Sequence, residues 1–197
     1  MKRPAENYAG GNHNLSEQKP ALFVVAGPVG GGKSTFYEAY LKEAFPTLVP
    51  PLRHLQQAFL DGRRSFAVED IRVDTQLLDQ AKAAGYSTAV LFISTENAQL
   101  NVGRVLVRMS RGGQAVPVSS VIDSYDESTK NLPEVLKHAD ELIVYDNTAH
   151  RRGFRVVAQF IDGNLCKTAQ TIPGWVAKVF GKELRATIQH EKSGRAR

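Results

Sequence analysis

A lysine and a hydroxyl residue follow a run of glycines near the start of the chain. The segment GPVGGGKS begins at Gly27, ends with Lys33 and Ser34, and fits the spacing G-x-x-x-x-G-K-[ST]. Glycines let successive backbone N–H groups turn toward the oxygens of one anion, and the positive end of a following helix adds to the attraction. The spacing therefore predicts a phosphate-binding loop whose glycines are Gly27, Gly30, Gly31 and Gly32.

The residues after the glycines have separate expected roles. Lys33 is expected on an exposed loop, where its charge reaches the β- and γ-phosphates of a nucleotide, and Ser34 is expected to offer its hydroxyl to Mg²⁺. Thr35 belongs to the same cofactor-binding set. A glycine-rich turn with a chance Lys-Ser pair is the alternative. The context favours the nucleotide loop, since a buried-strand pattern precedes it and a helical pattern follows it.

A loop of this kind occurs in kinases, GTPases and motor ATPases, and the rest of the sequence favours one of them. The guanine-reading pattern N-K-x-D does not occur in the chain. The strand pattern LFIST ends in Ser-Thr and the pattern ELIVYDN ends in a lone Asp146, rather than in the adjacent acids of a translocating ATPase. A compact kinase fits better, and a kinase needs arginines that neutralise the charge on the transferred phosphoryl group.

Three arginines in the segment GRVLVRMSRGG could meet that need. Arg104 and Arg108 are four residues apart and share a helix face, and Arg111 precedes two glycines that permit a sharp turn. Arginines that converge near a joint suit a phosphate clamp. They could equally complement the dipole at the C-terminal end of a helix. Spacing alone leaves both readings open.

The elements that must position these residues alternate between strand and helix. Strands are predicted at 21–26, 65–70, 87–95 and 141–147, followed by a hairpin around the pair Asp162-Gly163. Helices are predicted at 33–45, 51–62, 74–85, 96–113 and 173–189, with helical pieces in 116–140 that are split around Pro133. This order predicts an α/β fold of the P-loop kinase type, with a mostly parallel sheet flanked by helices, a C-terminal β-hairpin and a closing helix.

Length, charge and cysteine content limit the domain organisation, the location and the partners of the protein. The 197 residues predict one domain over 20–180, preceded by a flexible leader at 1–19 and followed by a basic tail at 181–197. No apolar run approaches a membrane span, and the single cysteine, Cys166, fits an inert thiol in a reducing cytoplasm. Residues 151–197 carry 10 Lys and Arg against 3 Asp and Glu. Without a recognition motif, this excess favours a solvated surface over a nucleic-acid site.

A longer pattern resembles the zeta-toxin-like P-loop kinases. The segment RVLVRMSRGGQAVPVSSVIDSYDESTKNL, then ADELIVYDNT, and the pair SFAVED and AKAAGY are similar to motifs of that family in the same order, and the resemblance covers about residues 21–180. It implies ATP- and Mg²⁺-dependent phosphorylation of a small molecule, which in such toxins is UDP-N-acetylglucosamine. It also implies a possible antitoxin or regulatory protein as a partner.

Matching by position assigns the family's roles to this sequence. Lys33 and Ser34 match the residues that handle phosphate and Mg²⁺, Arg104 and Arg108 match two arginines of the family, and Glu69 matches a residue on the substrate side. The region 45–59, where the family places the aspartate that acts as the base, holds no acid. Asp70 or Asp74 could replace this aspartate, although Asp74 also suits a helix N-cap.

Three further departures concern charge and proton transfer. Ser124 and Glu127 stand where the family has arginines, and Gln114 stands where it has histidine. Within 45–59, His54 is the one side chain able to take a proton near neutral pH. The leading hypothesis is phosphorylation of a small molecule such as a UDP-amino sugar. The second is a catalytically impaired nucleotide-binding protein that acts through a partner, and the third is a nucleic-acid kinase or ATPase.

Overall fold

The computed structural model describes residues 19–149 and 153–186, and every structural statement below concerns those residues. Its strands form one six-stranded sheet in the order β2-β1-β3-β4-β5-β6. β1 to β4 are mutually parallel, and β5 and β6 add to one edge as an antiparallel hairpin. The strands are β1 Ala21–Ala26, β2 Phe66–Asp70, β3 Ser87–Ser94, β4 Glu141–Asp146, β5 Arg155–Ile161 and β6 Asn164–Thr168.

The central strands are apolar along their whole length because helices cover both faces of the sheet. All six residues of β1 are buried, as are seven of the eight in β3. Alternate residues of β1 enter different cores: Leu22 and Val24 pack with Phe92 and Trp175, whereas Phe23 packs with residues on the opposite face. This burial on two faces is the pattern of a parallel α/β sheet and confirms the predicted fold class.

The helices follow the predicted order, and the first and the last differ most from the predicted extents. They are α1 Lys33–Tyr40, α2 Arg53–Asp61, α3 Thr75–Ala83, α4 Ala98–Ser110, α5 Val118–His138 and α6 Gly174–Val179. α1 ends before Leu41 rather than at Pro46, and the turn after it is held by the Tyr37 hydroxyl, which donates to the Phe45 carbonyl over 2.6 Å. α6 is likewise shorter than predicted, with a bend at Phe180 before a helical stretch over 181–186.

α5 is one continuous helix, so the predicted split around Pro133 is wrong. Pro133 lies inside the helix, where a proline removes a backbone donor at a cost of about 3 kcal/mol. Leu132, Val135 and Leu136 on either side are buried in the core. Burying each such side chain contributes about 1.5–3 kcal/mol, which offsets the cost of the proline.

The C-terminal hairpin and its turn are as predicted. Asp162 and Gly163 both have positive φ, 48° and 74°, which is the backbone of a two-residue hairpin turn. Cys166 lies exposed on β6, and its thiol contacts the Asn164 carbonyl at 3.3 Å. Of the predicted leader at 1–19 only Lys19 is among the described residues, and 187–197 of the tail also lie outside them.

Helices long and apolar enough to cross a membrane are absent from the described part of the chain.

Candidate nucleotide-binding and phosphotransfer site

The glycine-rich loop joins the carboxyl end of β1 to the start of α1, as the spacing predicts. Gly27 and Gly32 have φ of 138° and 109°, in the left-handed region that side chains disfavour. A Cβ atom at Gly27 would lie 2.1 Å from the Ile93 carbonyl oxygen, and one at Gly32 would lie 2.3 Å from the Asn147 amide nitrogen. Both the backbone conformation and the close neighbours therefore require glycine at these two positions.

Lys33 is buried rather than exposed, which corrects the expectation from sequence. Its side chain folds back over the loop, and its ammonium group donates to the carbonyl oxygens of Gly27 at 2.9 Å and Pro28 at 3.2 Å. The Glu69 carboxylate lies 3.9 Å from the same nitrogen. Burial lowers the pKa of Lys33, and the charges of Glu69 and Asp70 oppose that shift. The lysine thus fills the loop that would receive phosphate.

Ser34 and Thr35 lie exposed in the first turn of α1, on the open side of the loop. The Ser34 hydroxyl is 3.5 Å from a carboxylate oxygen of Glu69, which reaches it from the end of β2. Hydroxyl and carboxylate oxygens are the ligands that Mg²⁺ prefers, and this ion takes one or two protein ligands beside the phosphates of a nucleotide. Ser34 and Glu69 fit that need. Groups of three or more potential metal-binding side chains do not occur among the described residues.

Asp70 ends β2 one residue beyond Glu69 and is half-buried. Its Oδ1 accepts a hydrogen bond of 2.7 Å from the backbone N–H of Ile71. Burial raises the pKa of Asp70, against the effect of its backbone donors. Asp74 is differently engaged, since its carboxylate caps α3 by accepting from the N–H groups of Gln76 and Leu77. Of the two aspartates considered as a base, Asp70 is thus the one without a capping role.

The two arginines on α4 have different surroundings. Arg104 is half-buried, and its guanidinium donates to the carbonyl oxygen of Asn147 at 2.6 Å and to that of Thr148 at 3.5 Å. Arg108 is exposed one turn later, close enough for its charge to lower the pKa of Lys33. Arg111 is exposed at the C-terminal end of the same helix. The structure brings Arg108 to the loop side and places Arg104 on the backbone after β4.

Asn147 is a site residue that sequence reasoning did not single out. Its side-chain amide donates to the Gly31 carbonyl at 2.8 Å, and its backbone N–H donates to the Ser94 carbonyl at 2.8 Å. Arg104 in turn holds the Asn147 carbonyl. The signal was present, because Asn147 belongs to the YDNT segment that follows a strand pattern. Its contact connects the phosphate-binding loop to the ends of β3 and β4.

Ser124 supports the loop from the other side, at a position where the resemblance predicts an arginine. Its buried hydroxyl accepts from the Val29 backbone N–H at 3.1 Å and donates to the Val121 carbonyl at 2.7 Å. The serine therefore holds the loop backbone through a neutral hydrogen bond. Glu127 and Gln114, the other two departures, are exposed.

Two adjoining clefts open between α2, α3 and the end of β2. The inner cleft has a volume of about 160 Å³ and is lined among others by Pro51, Arg53, Gln56, Glu69, Asp70 and Asp74. The outer cleft has a volume of about 280 Å³ and is lined among others by Arg53, His54, Gln57, Asp74, Gln76 and Gln80. Because the inner cleft includes Glu69, the neighbour of Lys33, carboxylates face the space beside the phosphate-binding loop.

Comparisons with solved structures agree on the architecture. A structure of AvrRxo1-ORF1:AvrRxo1-ORF2 with sulphate ions aligns with a TM-score of 0.58 and 16% identity, over 85% of this chain and 64% of that one. A structure of AvrRxo1-ORF1:-ORF2 with ATP aligns with a TM-score of 0.59 and 16% identity, over 84% and 63%. The chain thus spans less than two thirds of either of these two chains.

At this identity the similarity establishes the fold alone, an α/β sheet flanked by helices. No protein-family model matches the chain, and no curated protein does.

Proposed function

We propose that the chain is an ATP-dependent phosphotransferase acting on a small molecule. The observation that carries this proposal is the placement of two carboxylates, Glu69 and Asp70, in a cleft beside Lys33. Binding of a nucleotide with Mg²⁺ accounts for one of them, Glu69, whereas a second carboxylate, that of Asp70, suits the proton acceptor that a substrate hydroxyl needs near the γ-phosphate. The similarity in fold to a protein solved with ATP supports ATP as the donor.

The loop supplies the binding of the nucleotide. Backbone N–H groups of the glycine run and the N-terminal end of α1 face the phosphates, as in other helix-terminus anion sites. Lys33 exchanges its bonds to the Gly27 and Pro28 carbonyls for phosphate oxygens when the nucleotide binds. Because the lysine is already desolvated by burial, it interacts strongly with the incoming charge. Ser34 and Glu69 would hold Mg²⁺, which would supply positive charge beside the phosphates.

Transfer is assigned to Asp70 and Arg108. The Asp70 carboxylate accepts the proton of the acceptor hydroxyl, and its raised pKa makes it a better base than a solvated aspartate. The guanidinium of Arg108, exposed on the loop side of α4, stabilises the charge that the γ-phosphoryl group carries during transfer. Arg111 stays in the proposed phosphate-binding set, whereas Arg104 is a positioning residue that holds Asn147 by its backbone carbonyl.

The resemblance to zeta-toxin-like kinases makes a UDP-amino sugar the first acceptor to test. We expect its phosphorylation to be weak or absent. The region 45–59, where such kinases place their base, contains no acid, and His54 in that region is exposed on α2. Loss of a positioned acid-base group costs about 10² to 10⁴ in rate unless another group replaces it.

The second proposal is a catalytically impaired nucleotide-binding protein that acts through a partner. The specific observation in its favour is that the similar solved structures contain two proteins, AvrRxo1-ORF1 and AvrRxo1-ORF2. An antitoxin or regulatory partner would suit either proposal. Only the first requires turnover of ATP with transfer to a small molecule.

Incubation with γ-labelled ATP and a panel of UDP-sugars tests transfer, with calorimetry of ATP binding beside it. Lys33→Ala is expected to lose ATP binding and any transfer, because the loop loses its buried cation. Lys42→Ala removes an exposed lysine that pairs with Glu38 and serves as the matched control. Asp70→Asn is expected to remove transfer while ATP affinity stays within about twofold.

Equal ATP affinities of wild type and Lys33→Ala would contradict the assignment of the loop. Intact ATP binding with no labelled product from any acceptor would favour the partner-dependent alternative. Rapid turnover of a UDP-sugar that persists after substitution of Asp70, Asp74 and Glu69 would show that the acceptor binds elsewhere.

A further inference from the structure

The two clefts between α2 and α3 adjoin, and together they form a path that leads away from Lys33. They have Arg53, Gln56, Asp74 and Leu77 in common. Arg53 bridges the two helices by donating to the Gln76 side chain at 3.2 Å. The inner end of the path reaches Glu69 and Asp70, beside the lysine of the phosphate-binding loop.

The lining of this path carries more negative than positive charge. Glu69, Asp70 and Asp74 contribute carboxylates, whereas Arg53 is the one Lys or Arg among the lining residues of the described chain. The outer cleft is otherwise rich in amides, from Gln56, Gln57, Gln76 and Gln80. Amides donate and accept hydrogen bonds without charge, which suits hydroxyl and amine groups. The diphosphate of a nucleotide-sugar acceptor would therefore face three carboxylates and a single guanidinium in this lining.

The size of the inner cleft limits which group can reach the two carboxylates. Its volume of about 160 Å³ lies below the roughly 300–1,000 Å³ typical of pockets for drug-sized ligands. A group of the size of one sugar ring is compatible with this end of the path.

We propose that the acceptor is a non-anionic polyhydroxylated molecule of the size of a free sugar or amino sugar, bound between α2 and α3 with one hydroxyl at Asp70. This inference rests on the proposed phosphotransferase function and narrows its substrate class. The acceptor oxygen forms a bond to the γ-phosphorus of ATP, and the bond from that phosphorus to the β–γ bridging oxygen breaks. ADP leaves with the electron pair, and the hydroxyl proton passes to the Asp70 carboxylate.

A matched pair of acceptors tests the charge argument. N-acetylglucosamine and UDP-N-acetylglucosamine share the sugar and differ by the UDP group, so a difference in turnover reports on that group. We expect the free sugar to be phosphorylated with a kcat/KM at least about 100-fold above that of the nucleotide sugar. Preference for the nucleotide sugar would overturn the inference and leave the phosphotransferase function standing.

A second experiment covers acceptors other than these two sugars. A small-molecule cell extract is separated on an anion-exchange resin into a non-anionic and an anionic fraction, and each is incubated with γ-labelled ATP. Labelled product is expected from the non-anionic fraction and not with the Asp70→Asn variant. Label from the anionic fraction alone overturns the inference about the acceptor. Label from neither fraction, with ATP binding intact, overturns the phosphotransferase function itself.

A charge substitution in the outer cleft tests the location. Gln80→Lys places a cation on the lining, whereas Ala58→Lys places the same charge on an exposed residue of α2 outside the lining. With glucosamine as the acceptor, Gln80→Lys is expected to raise KM several-fold with little change in kcat, and Ala58→Lys to change neither. Equal KM values for both variants and wild type would show that the acceptor does not occupy this cleft.

Discussion

Arg104 and Arg108 lie one helical turn apart on α4, yet their guanidinium groups meet different surroundings. The first donates to two backbone carbonyls after β4, whereas the second is exposed on the side of the phosphate-binding loop. The same residue type at helical spacing therefore has two environments, one that holds the backbone and one that is open to solvent.

Substituting each arginine by alanine is expected to separate their roles. Arg108→Ala should lower the rate of transfer about 10²-fold or more and change ATP affinity by less, because the charge it meets grows in the transition state. Arg104→Ala should lower the free energy of unfolding by about 1–2 kcal/mol, because it leaves the Asn147 and Thr148 carbonyls without their donor. Urea denaturation, calorimetry and single-turnover rates check both. Identical profiles for the two variants would contradict the division of roles.

The spacing of the glycines predicted the turn between β1 and α1, because the positive φ of Gly27 and Gly32 follows from the local residue type. The partners of Arg104 and Ser124 are not local, since Arg104 bonds to a residue 43 positions away and Ser124 to one 95 positions away. Lys33 was expected to be exposed because loops usually are, but its side chain folds back and donates to the carbonyl oxygens of Gly27 and Pro28. The contacts of Arg104 and Ser124 depend on the strand order, which no short pattern encodes.

At the scale of elements, the phosphate-binding loop is held between two parts of the fold. Ser124 on α5 holds Val29, near its beginning, and Asn147 after β4 holds Gly31, near its end. Both contacts use the loop backbone, so the shape of the loop is fixed before a phosphate arrives. A preformed loop loses less conformational entropy on binding.

Asn147→Ala is expected to weaken ATP binding by roughly 2- to 10-fold, the range that corresponds to one hydrogen bond of about 0.5–1.5 kcal/mol. The matched control is Asn164→Ala in the hairpin, which also removes an amide that donates to a carbonyl, that of Asp162 at 2.9 Å. Calorimetry on both variants measures the affinity. If Asn164→Ala lost as much ATP affinity, the loss would reflect a general destabilisation of the fold and not the contact between Asn147 and the loop.

α3 and α5 are joined by an ion pair that responds to pH. His138 in the last turn of α5 contacts Asp79 at 2.8 Å and Glu134 at 3.3 Å. The hydrogen bond to Asp79, followed by that to Glu134, raises the pKa of His138 above 6.5. The protonated form is thus favoured in the folded state. Its contribution to stability is fully present below pH 6.5 and is lost as the pH rises through the higher folded pKa.

His138→Gln is expected to remove this pH dependence. The change should be below about 1 kcal/mol, because the pair is partly exposed and is screened by solvent and salt. Urea denaturation between pH 5.5 and 8.5 measures it, with His54→Gln on α2 as a control that keeps the wild-type slope. The role of this pair would be contradicted if the free energy of unfolding of the wild type rose from pH 6.5 to 8.5 and that of His138→Gln rose equally.

The order of elements could be predicted along the chain because each strand and helix has its own periodicity. The residues at which these elements begin and end were harder to predict. α5 crosses Pro133 because buried neighbours on both sides hold it to the core, and α1 stops early because Leu41 and the Tyr37 hydroxyl stabilise a turn. In both cases tertiary packing overrides the local signal. The clefts between α2 and α3 depend on how two helices sit on the sheet, and no local pattern reports that.

For the whole molecule, binding of ATP should raise the temperature of unfolding, since a ligand that binds only the folded state stabilises it. At 100 times its dissociation constant ATP contributes about 2.7 kcal/mol. For a chain of this size each kcal/mol corresponds to roughly 2–4 °C, so a rise of roughly 5–10 °C is expected. Differential scanning calorimetry checks it. The Lys33→Ala variant should show little rise, and a full rise in that variant would place the nucleotide elsewhere.

The position of the only cysteine gives the molecule a natural attachment point. Cys166 is exposed on β6, which forms one edge of the sheet, while β2 with Glu69 and Asp70 forms the other. Five strand spacings of about 4.8 Å separate the two edges, or about 24 Å. A fluorescent dye coupled to this thiol therefore sits within energy-transfer range of a fluorescent nucleotide in the loop above β1. Occupancy can be followed on the unmutated chain, one molecule at a time.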